Sequence, residues 1–393
     1  MGPVPRILPK PVDAPTRTIF HPDCLPVSGL LARVLGGSRP GFSFARLLAE
    51  VPGLARAFLW RANPLPAGLP DPPWLHLGCG ENVLEGFANV DFLPHDARVT
   101  AWDLLDAWPP AWPAPVAGAF SEDTLEHFFL AEQLHILCEM NLALADGAVF
   151  RVLMPSYARL AEYCRDFEPR AGEFLHASFG VETEADALNM GLRFSGHRWL
   201  HDDRSLAHLA ALAGFEAVKT TCAQSTVPFL SNRNLRTEEG TTSFAHDLVK
   251  RRRLRRLVVP PSALVSIDGL EEIEGIGVGE IRGPGARVRY QLPAALPRGA
   301  IASVNARGSN LSSFSEHSLK RLVLRTAAGE GAWKLDETLK SRPCMNLAMP
   351  AAIRLALAGR EGAIEGIDLE PGAAGDRITI GPLEVFYFEP SPG

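Results

Sequence analysis

Cysteine is sparse and never closely spaced. Cys24, Cys79, Cys138, Cys164, Cys222 and Cys344 contain no CxxC pair. Neither a zinc site nor a disulfide framework is indicated, no metal is expected, and a reducing cytoplasm fits. No apolar stretch approaches the roughly eighteen residues of a membrane span, and the proline-rich residues 1–15 lack the apolar run of a signal peptide. The expectation is therefore a cytoplasmic protein with no membrane span. Positive charge is not in excess: the net charge is −6 and the pI about 6.0. That balance argues against general nucleic-acid binding. No internal repeat is visible. What the chain does have is apolar content, 46 % of 393 residues, enough for the cores of two ordinary domains. Its richness in Ala, Arg, Gly and Pro points to a GC-rich bacterial genome.

The most informative stretch is residues 74–91, WLHLGCGENVLEGFANVD. An apolar run, Trp74, Leu75 and Leu77, leads into Gly78-Cys79-Gly80. A second run, Phe87 to Val90, ends at Asp91. Glycines after a strand give a tight turn and let a ligand approach the main chain. A carboxylate closing the next strand of an open α/β sheet suits the two hydroxyls of a ribose. A dinucleotide fingerprint would need a third small residue where Val83 stands. The stretch thus proposes a nucleoside-containing ligand that is not a dinucleotide.

Periodicity divides the rest. Residues 1–73 read as a proline-punctuated extension with a helical piece around Phe44, Leu47, Leu48, Val51, Leu54 and Phe58. Strands are expected at 74–77, 88–91, 98–102, 116–120, 148–154 and 215–221, with 243–250 closing the sheet antiparallel. Helices are expected at 130–144, 157–167 and 202–212, the last started by Asp202 and Asp203 and ended by Gly214. This alternation predicts a doubly wound α/β domain over residues 74–250, with its ligand beyond the carboxyl ends of the strands. The basic run Lys250 to Arg256 marks a boundary, and 251–257 is expected to be a solvated linker. Residues 258–393 carry short apolar runs separated by glycine and proline. They are expected to form a separate β-sandwich, with Tyr290, Trp333 and Tyr387 as its only large amphipathic aromatics.

The residues of the α/β part resemble the class I S-adenosylmethionine-dependent methyltransferases, in the branch that accompanies bacterial surface-polysaccharide genes. Leu75 to Gly80 with Gly86 to Asp91 resembles motif I. Ser121 to His127, SEDTLEH, resembles the segment after strand four. Gly196 to Asp202, GHRWLHD, with Ala213-Gly214-Phe215, resembles the late helix and strand. Two departures stand out: Ala145-Asp146-Gly147-Ala148 replaces a Lys-Pro-Gly-Gly turn, and Ser156 replaces an aspartate after Pro155. The resemblance implies a Rossmann-like seven-stranded sheet, S-adenosyl-L-methionine as cofactor, and a methyltransferase acting on a sugar hydroxyl of a glycan or glycan precursor.

It further implies that Gly78, Cys79 and Gly80, with the next helix start, meet the amino-acid end of the cofactor. Asp91 would take the ribose, Asp103-Leu104 the adenine, and Ser121 would lie beside the sulfonium. Removal of a hydroxyl proton calls for a base near neutral pKa, and His127, His197 and His201 are the candidates. His76, inside strand one, is expected to be a core histidine. The expected partners are a glycan or small-molecule methyl acceptor and a second copy in a homo-oligomer, with no nucleic acid. The other reading is a non-catalytic scaffold that keeps the nucleoside pocket, its sandwich binding glycan or a partner protein.

Overall fold

A computed structural model describes residues 65–91, 97–102, 104–105, 107–165, 181–193, 196–235, 242–273, 276–297, 300–310, 321–327, 329–334, 350–353, 363–370 and 374–389. The expected helical piece before residue 65 and Asp103 lie outside these residues.

The N-terminal sheet contains β1 (Trp74–Leu77), β2 (Phe87–Asp91), β3 (Val99–Ala101), β4 (Gly118–Glu122), β5 (Val149–Pro155), β6 (Phe215–Thr220) and β7 (Ser243–Lys250). Their order is β3-β2-β1-β4-β5-β7-β6. The first five run parallel, and β7 lies antiparallel between β5 and β6. This mixed sheet is consistent with a Rossmann-like methyltransferase. Among the described residues, helices α1 (Leu130–Ala143), α2 (Tyr157–Arg165), α3 (Glu184–Arg193) and α4 (Asp203–Leu212) accompany the sheet. Asp202 caps α4 by accepting from the Ser205 amide at 2.7 Å, which satisfies one of the amides a helix start leaves open. Among the described residues β1 passes to β2 by a short connection, so the helix start expected to stand beside Gly80 is not there.

The C-terminal part is built from β8 (Leu254–Val259), β9 (Ala263–Val265), β10 (Ile267–Ile273), β11 (Ile276–Ile281), β12 (Arg287–Pro297), β13 (Ile301–Asn310), β14 (Arg321–Thr326), β15 (Gly329–Lys334), β16 (Pro350–Ile353), β17 (Ala363–Glu370) and β18 (Arg377–Phe388). One antiparallel sheet runs β10-β11-β18-β13-β16, with β8 also paired to β18. The other runs β15-β14-β17-β12-β9. Val288, Leu324 and Ile367 of one and Val304, Ile378 and Val385 of the other belong to a single buried cluster, so the two sheets share an apolar core.

The basic run is solvated, with Arg251, Arg252, Arg253 and Arg255 exposed, but it is not a linker throughout. Its second half, from Leu254, is β8, paired to β18 from Leu254↔Phe388 to Val259↔Leu383. Its charges are engaged: Lys250 Nζ donates to the carbonyls of Asn141 (2.6 Å) and Leu144 (2.7 Å). Arg251 meets Glu216, Arg253 meets Asp146, Arg255 meets Glu389, and Arg256 meets Glu139.

Helix α1 is the seam between the two parts. Its polar side chains Glu132, Gln133, His135, Glu139 and Asn141 are as buried as Leu134 and Leu137. Asn141 Nδ2 donates to the carbonyls of Ala213 and Arg252 (2.8 Å each), and its Oδ1 accepts from the Leu254 amide (3.0 Å). Glu139 accepts from the Trp108 amide and from Arg256. Leu254, Ala302, Phe386 and Phe388 join the same buried cluster as Leu75, Val90 and Leu134. Tyr290, one of the three large amphipathic aromatics of this part, is a core residue: it is 1 % exposed and its hydroxyl donates to the Gly381 carbonyl at 2.9 Å.

Candidate functional site

Chain order fixes where the sheet opens. From β1 the strands proceed outward through β2 and β3, then return to β4 on the other side of β1. Beyond the carboxyl ends of β1 and β4 the two connections part, and this is where open α/β sheets bind ligands. Leu77 and Ser121 stand in register at that edge.

The turn after β1 uses both glycines. Gly78 (φ 60°) and Gly80 (φ 50°) have left-handed backbones that side chains resist. At Gly78 the need is also spatial, since a Cβ there would lie 2.3 Å from Thr124 Oγ1. At Gly80 a Cβ would meet nothing within 4 Å, so the turn is bare on that side. The Gly80 amide donates to Asp91 Oδ2 at 2.9 Å, and the Cys79 amide to the Val90 carbonyl at 3.1 Å. The turn is thereby fastened to the end of β2. Asp91 is partly exposed, whereas Cys79 is 4 % exposed.

His76 behaves as a core residue. Its Nδ1 lies 3.1 Å from Asn89 Oδ1, and burial depresses its pKa to about 4. Asn89 also exchanges hydrogen bonds of 2.9 Å in both directions with the Leu84 backbone. This one side chain holds the short connection between β1 and β2.

After β4 the chain turns through Asp123, a non-glycine residue at φ 50° whose amide donates to the Leu153 carbonyl at 3.0 Å. A short 3-10 turn, Leu125–His127, follows. The Glu126 carbonyl accepts from the amides of Arg198 (2.7 Å) and Trp199 (3.2 Å). This clasp brings His197 to His127, ring centroids 5.2 Å apart. Glu126 is fully buried and the two imidazoles are partly exposed. One ligand atom from each of Glu126, His127 and His197 lies within 4.8 Å of the other two. His197 Nδ1 is 2.9 Å from the Gly191 carbonyl. A carbonyl can only accept, so Nδ1 carries the hydrogen and Nε2 of the neutral ring keeps its lone pair.

His201 is placed differently. It is 1 % exposed, with Nε2 2.8 Å from Gln133 Oε1 and Nδ1 2.8 Å from Ser205 Oγ. Gln133 is oriented by donating to the carbonyls of Phe128 (3.0 Å) and Trp199 (3.3 Å). Both imidazole nitrogens of His201 are thus used in holding the segment before α4. Ser156 is 5 % exposed and accepts from the Arg159 amide at the start of α2 (3.4 Å). Ser121 is 1 % exposed, and Leu104 sits in the core cluster with Trp102, Trp108 and Trp112. The Leu104 side chain is thus given over to the core.

Sequence reasoning did not single out Glu126 or Gly191. Glu126 stands inside the SEDTLEH segment, beside His127, so its signal is in the sequence. Gly191 acts through its carbonyl from α3, and main-chain groups leave no mark in residue identity.

No family model matches the chain, and no curated protein does. Among solved structures, one similar chain comes from the complex between the Haloferax volcanii Trm112 methyltransferase activator and a protein described as a methyltransferase. It shows 11 % identity over 48 % of this chain and 85 % of that one, with a TM-score of 0.30. The O-methyltransferase NcsB1 of neocarzinostatin biosynthesis, solved with S-adenosylmethionine and a naphthoic acid, shows 13 % identity over 46 % of this chain and 49 % of its own, with a TM-score of 0.28. A variant of a family 29 carbohydrate-binding module shows 14 % identity over 34 % of this chain and 92 % of its own, with a TM-score of 0.26. Likeness at this level adds no weight to any function.

Proposed function

We propose that residues 74–250 bind S-adenosyl-L-methionine and methylate a hydroxyl of a glycan or glycan precursor. The observation that carries this reading is the Gly80 amide bonded to the Asp91 carboxylate at the point where the strand order reverses. The residues fit the cofactor on two grounds. The turn is open over Gly80, where a ligand must approach, and a carboxylate suited to a ribose diol stands beside it.

When bound, the sulfonium supplies an already activated methyl group. The protein then has to position the acceptor and manage its proton. Asp91 accepts from the ribose hydroxyls while fixing the turn. Gly78, Cys79 and Gly80 offer main-chain groups to the amino-acid end. Asp103 and the Leu104 backbone take the adenine, and Ser121 borders the sulfur. His127 and His197 stand at the acceptor side. His201 holds the segment that carries His197, which is a positioning role. The two C-terminal sheets, which we read as a β-sandwich, cover α1. Titration with S-adenosylmethionine followed by methyl-transfer assays on sugar acceptors tests the proposal. Cofactor binding without turnover on any acceptor favours the non-catalytic scaffold.

A further inference from the structure

We propose that Glu126, His127 and His197 bind one divalent first-row transition cation, of the Zn2+, Mn2+ or Co2+ kind. Binding of the cation stands on its own geometry; its role in methyl transfer rests on the function proposed above.

The donor set is the first ground. Two imidazoles and one carboxylate suit these cations and occur at sites that keep open positions for a substrate. With neutral rings the set carries one negative charge, so a bound divalent ion retains net positive charge for a further oxygen ligand. The second ground is spacing. Donors about 2.1 Å from a common ion stand at most ~4.2 Å apart, and here one ligand atom of each residue lies within 4.8 Å of the others. Small rotations of the partly exposed imidazoles close the remainder.

The third ground is orientation. The Gly191 carbonyl accepts from His197 Nδ1 at 2.9 Å and leaves Nε2 as the donor. A backbone carbonyl on the far nitrogen is a common way to fix the tautomer and aim of a metal-binding histidine. The clasp of the Arg198 and Trp199 amides on the Glu126 carbonyl holds the two ligand-bearing segments together. The donors are thus gathered before any ion arrives.

The place of the cluster assigns the cation a task. It follows β4, beside the edge where the cofactor is proposed to lie. An acceptor hydroxyl on an open coordination position becomes more acidic. As the methyl group moves, its bond to sulfur breaks and a bond to the hydroxyl oxygen forms. The hydroxyl proton passes to solvent, and sulfur leaves as a neutral thioether. In this arrangement His127 and His197 are ligands rather than bases.

The full chain, stripped with a chelator, is titrated with Co2+ while its visible d–d absorption is followed, and with Zn2+ by calorimetry. The proposal expects one equivalent per chain. It expects affinity at least about tenfold weaker in His127→Ala and in His197→Ala, and unchanged in His208→Ala, which alters an exposed histidine. Circular dichroism verifies that the variants are folded. Glu126→Gln, at a buried position, is a further variant, and the two histidine variants decide if it fails to fold. Absence of saturable binding, or binding indifferent to both histidine changes, overturns the proposal. S-adenosylmethionine is titrated into the same samples. Cofactor binding without cation binding sinks the cation site alone, and cation binding without cofactor binding sinks only its role in methyl transfer.

Discussion

Thr124 fills the space that a side chain on Gly78 would need: a Cβ built on Gly78 would fall 2.3 Å from Thr124 Oγ1. The turn after β1 and the segment after β4 are therefore in direct contact, and the glycine is what allows it. Thr124 Oγ1 also lies within hydrogen-bond reach of the Glu122 carbonyl at 3.0 Å.

The two glycines of the turn should respond differently to alanine. Gly78→Ala combines a left-handed backbone, worth about 1–2 kcal/mol, with an overlap worth about 1–3 kcal/mol more. Gly80→Ala should cost only about 1–2 kcal/mol of stability, because its Cβ enters open space, yet it should weaken the cofactor by crowding its approach. Denaturant titration gives the first quantity and calorimetry the second. Equal stability loss in both variants would contradict this account of the turn.

The three histidines should separate into two groups. His127→Ala and His197→Ala should lower turnover at least about tenfold, as expected when a metal site is weakened, with little change in melting temperature. His201→Ala leaves Gln133 and Ser205 without their shared partner and should cost about 1–3 kcal/mol of stability. Normal stability with a turnover loss in His201→Ala would return it to the chemistry.

His76 should make the fold acid-sensitive. Its pKa falls from 6.5 to about 4 through burial, so the unfolded chain binds the proton more readily than the folded one. Its contribution is present above pH 6.5 and is lost as pH falls from 6.5 toward 4, by up to about 3 kcal/mol. His246 is shifted the same way by burial. Comparing wild type with His76→Phe isolates the first. Identical pH dependence of the unfolding free energy in the two proteins would refute the assignment.

The two parts should unfold together. A fragment ending at residue 250 loses the cover that Leu254, Phe386 and Phe388 give the α/β core, and it strands Glu139 and Asn141 without partners from β8. It should be insoluble or markedly destabilised, while the full chain shows one calorimetric transition. A soluble, cofactor-binding fragment would mean that the α1 seam contributes little.

Sequence pattern located the α/β elements well where apolar residues formed runs. The expected strands 74–77 and 243–250 coincide with β1 and β7, and Asp202 caps α4 as its residue type suggested. It failed where tertiary contacts override local signals. Gly381-Pro382 reads as a break between two strands, yet β18 continues through it, with a register shift against β13 at Ala306/Gly308. Strands β10 and β11 carry glycine and glutamate in place of apolar runs. The arginines after Lys250 read as solvated, and Arg251, Arg253 and Arg255 are more than half exposed; what local pattern does not reveal is their pairing with Glu216, Asp146 and Glu389, which are distant in sequence. Of the candidate site, the turn at Gly78 and Gly80 and the carboxylate that ends β2 were legible, because each residue type has a local reason to stand there. The joining of Glu126, His127 and His197 was not, since it depends on main-chain bonds between separate segments.

The central claim is that the Gly80–Asp91 unit receives S-adenosylmethionine, and the most direct test is its titration by calorimetry into the full chain and into Asp91→Ala. The account predicts saturable binding at one site per chain, weakened in the variant by roughly 1.5–3 kcal/mol, about ten- to a hundredfold, as a charged acceptor is lost from buried hydroxyls. No saturable binding to the wild-type chain, or the same affinity in Asp91→Ala, would contradict it.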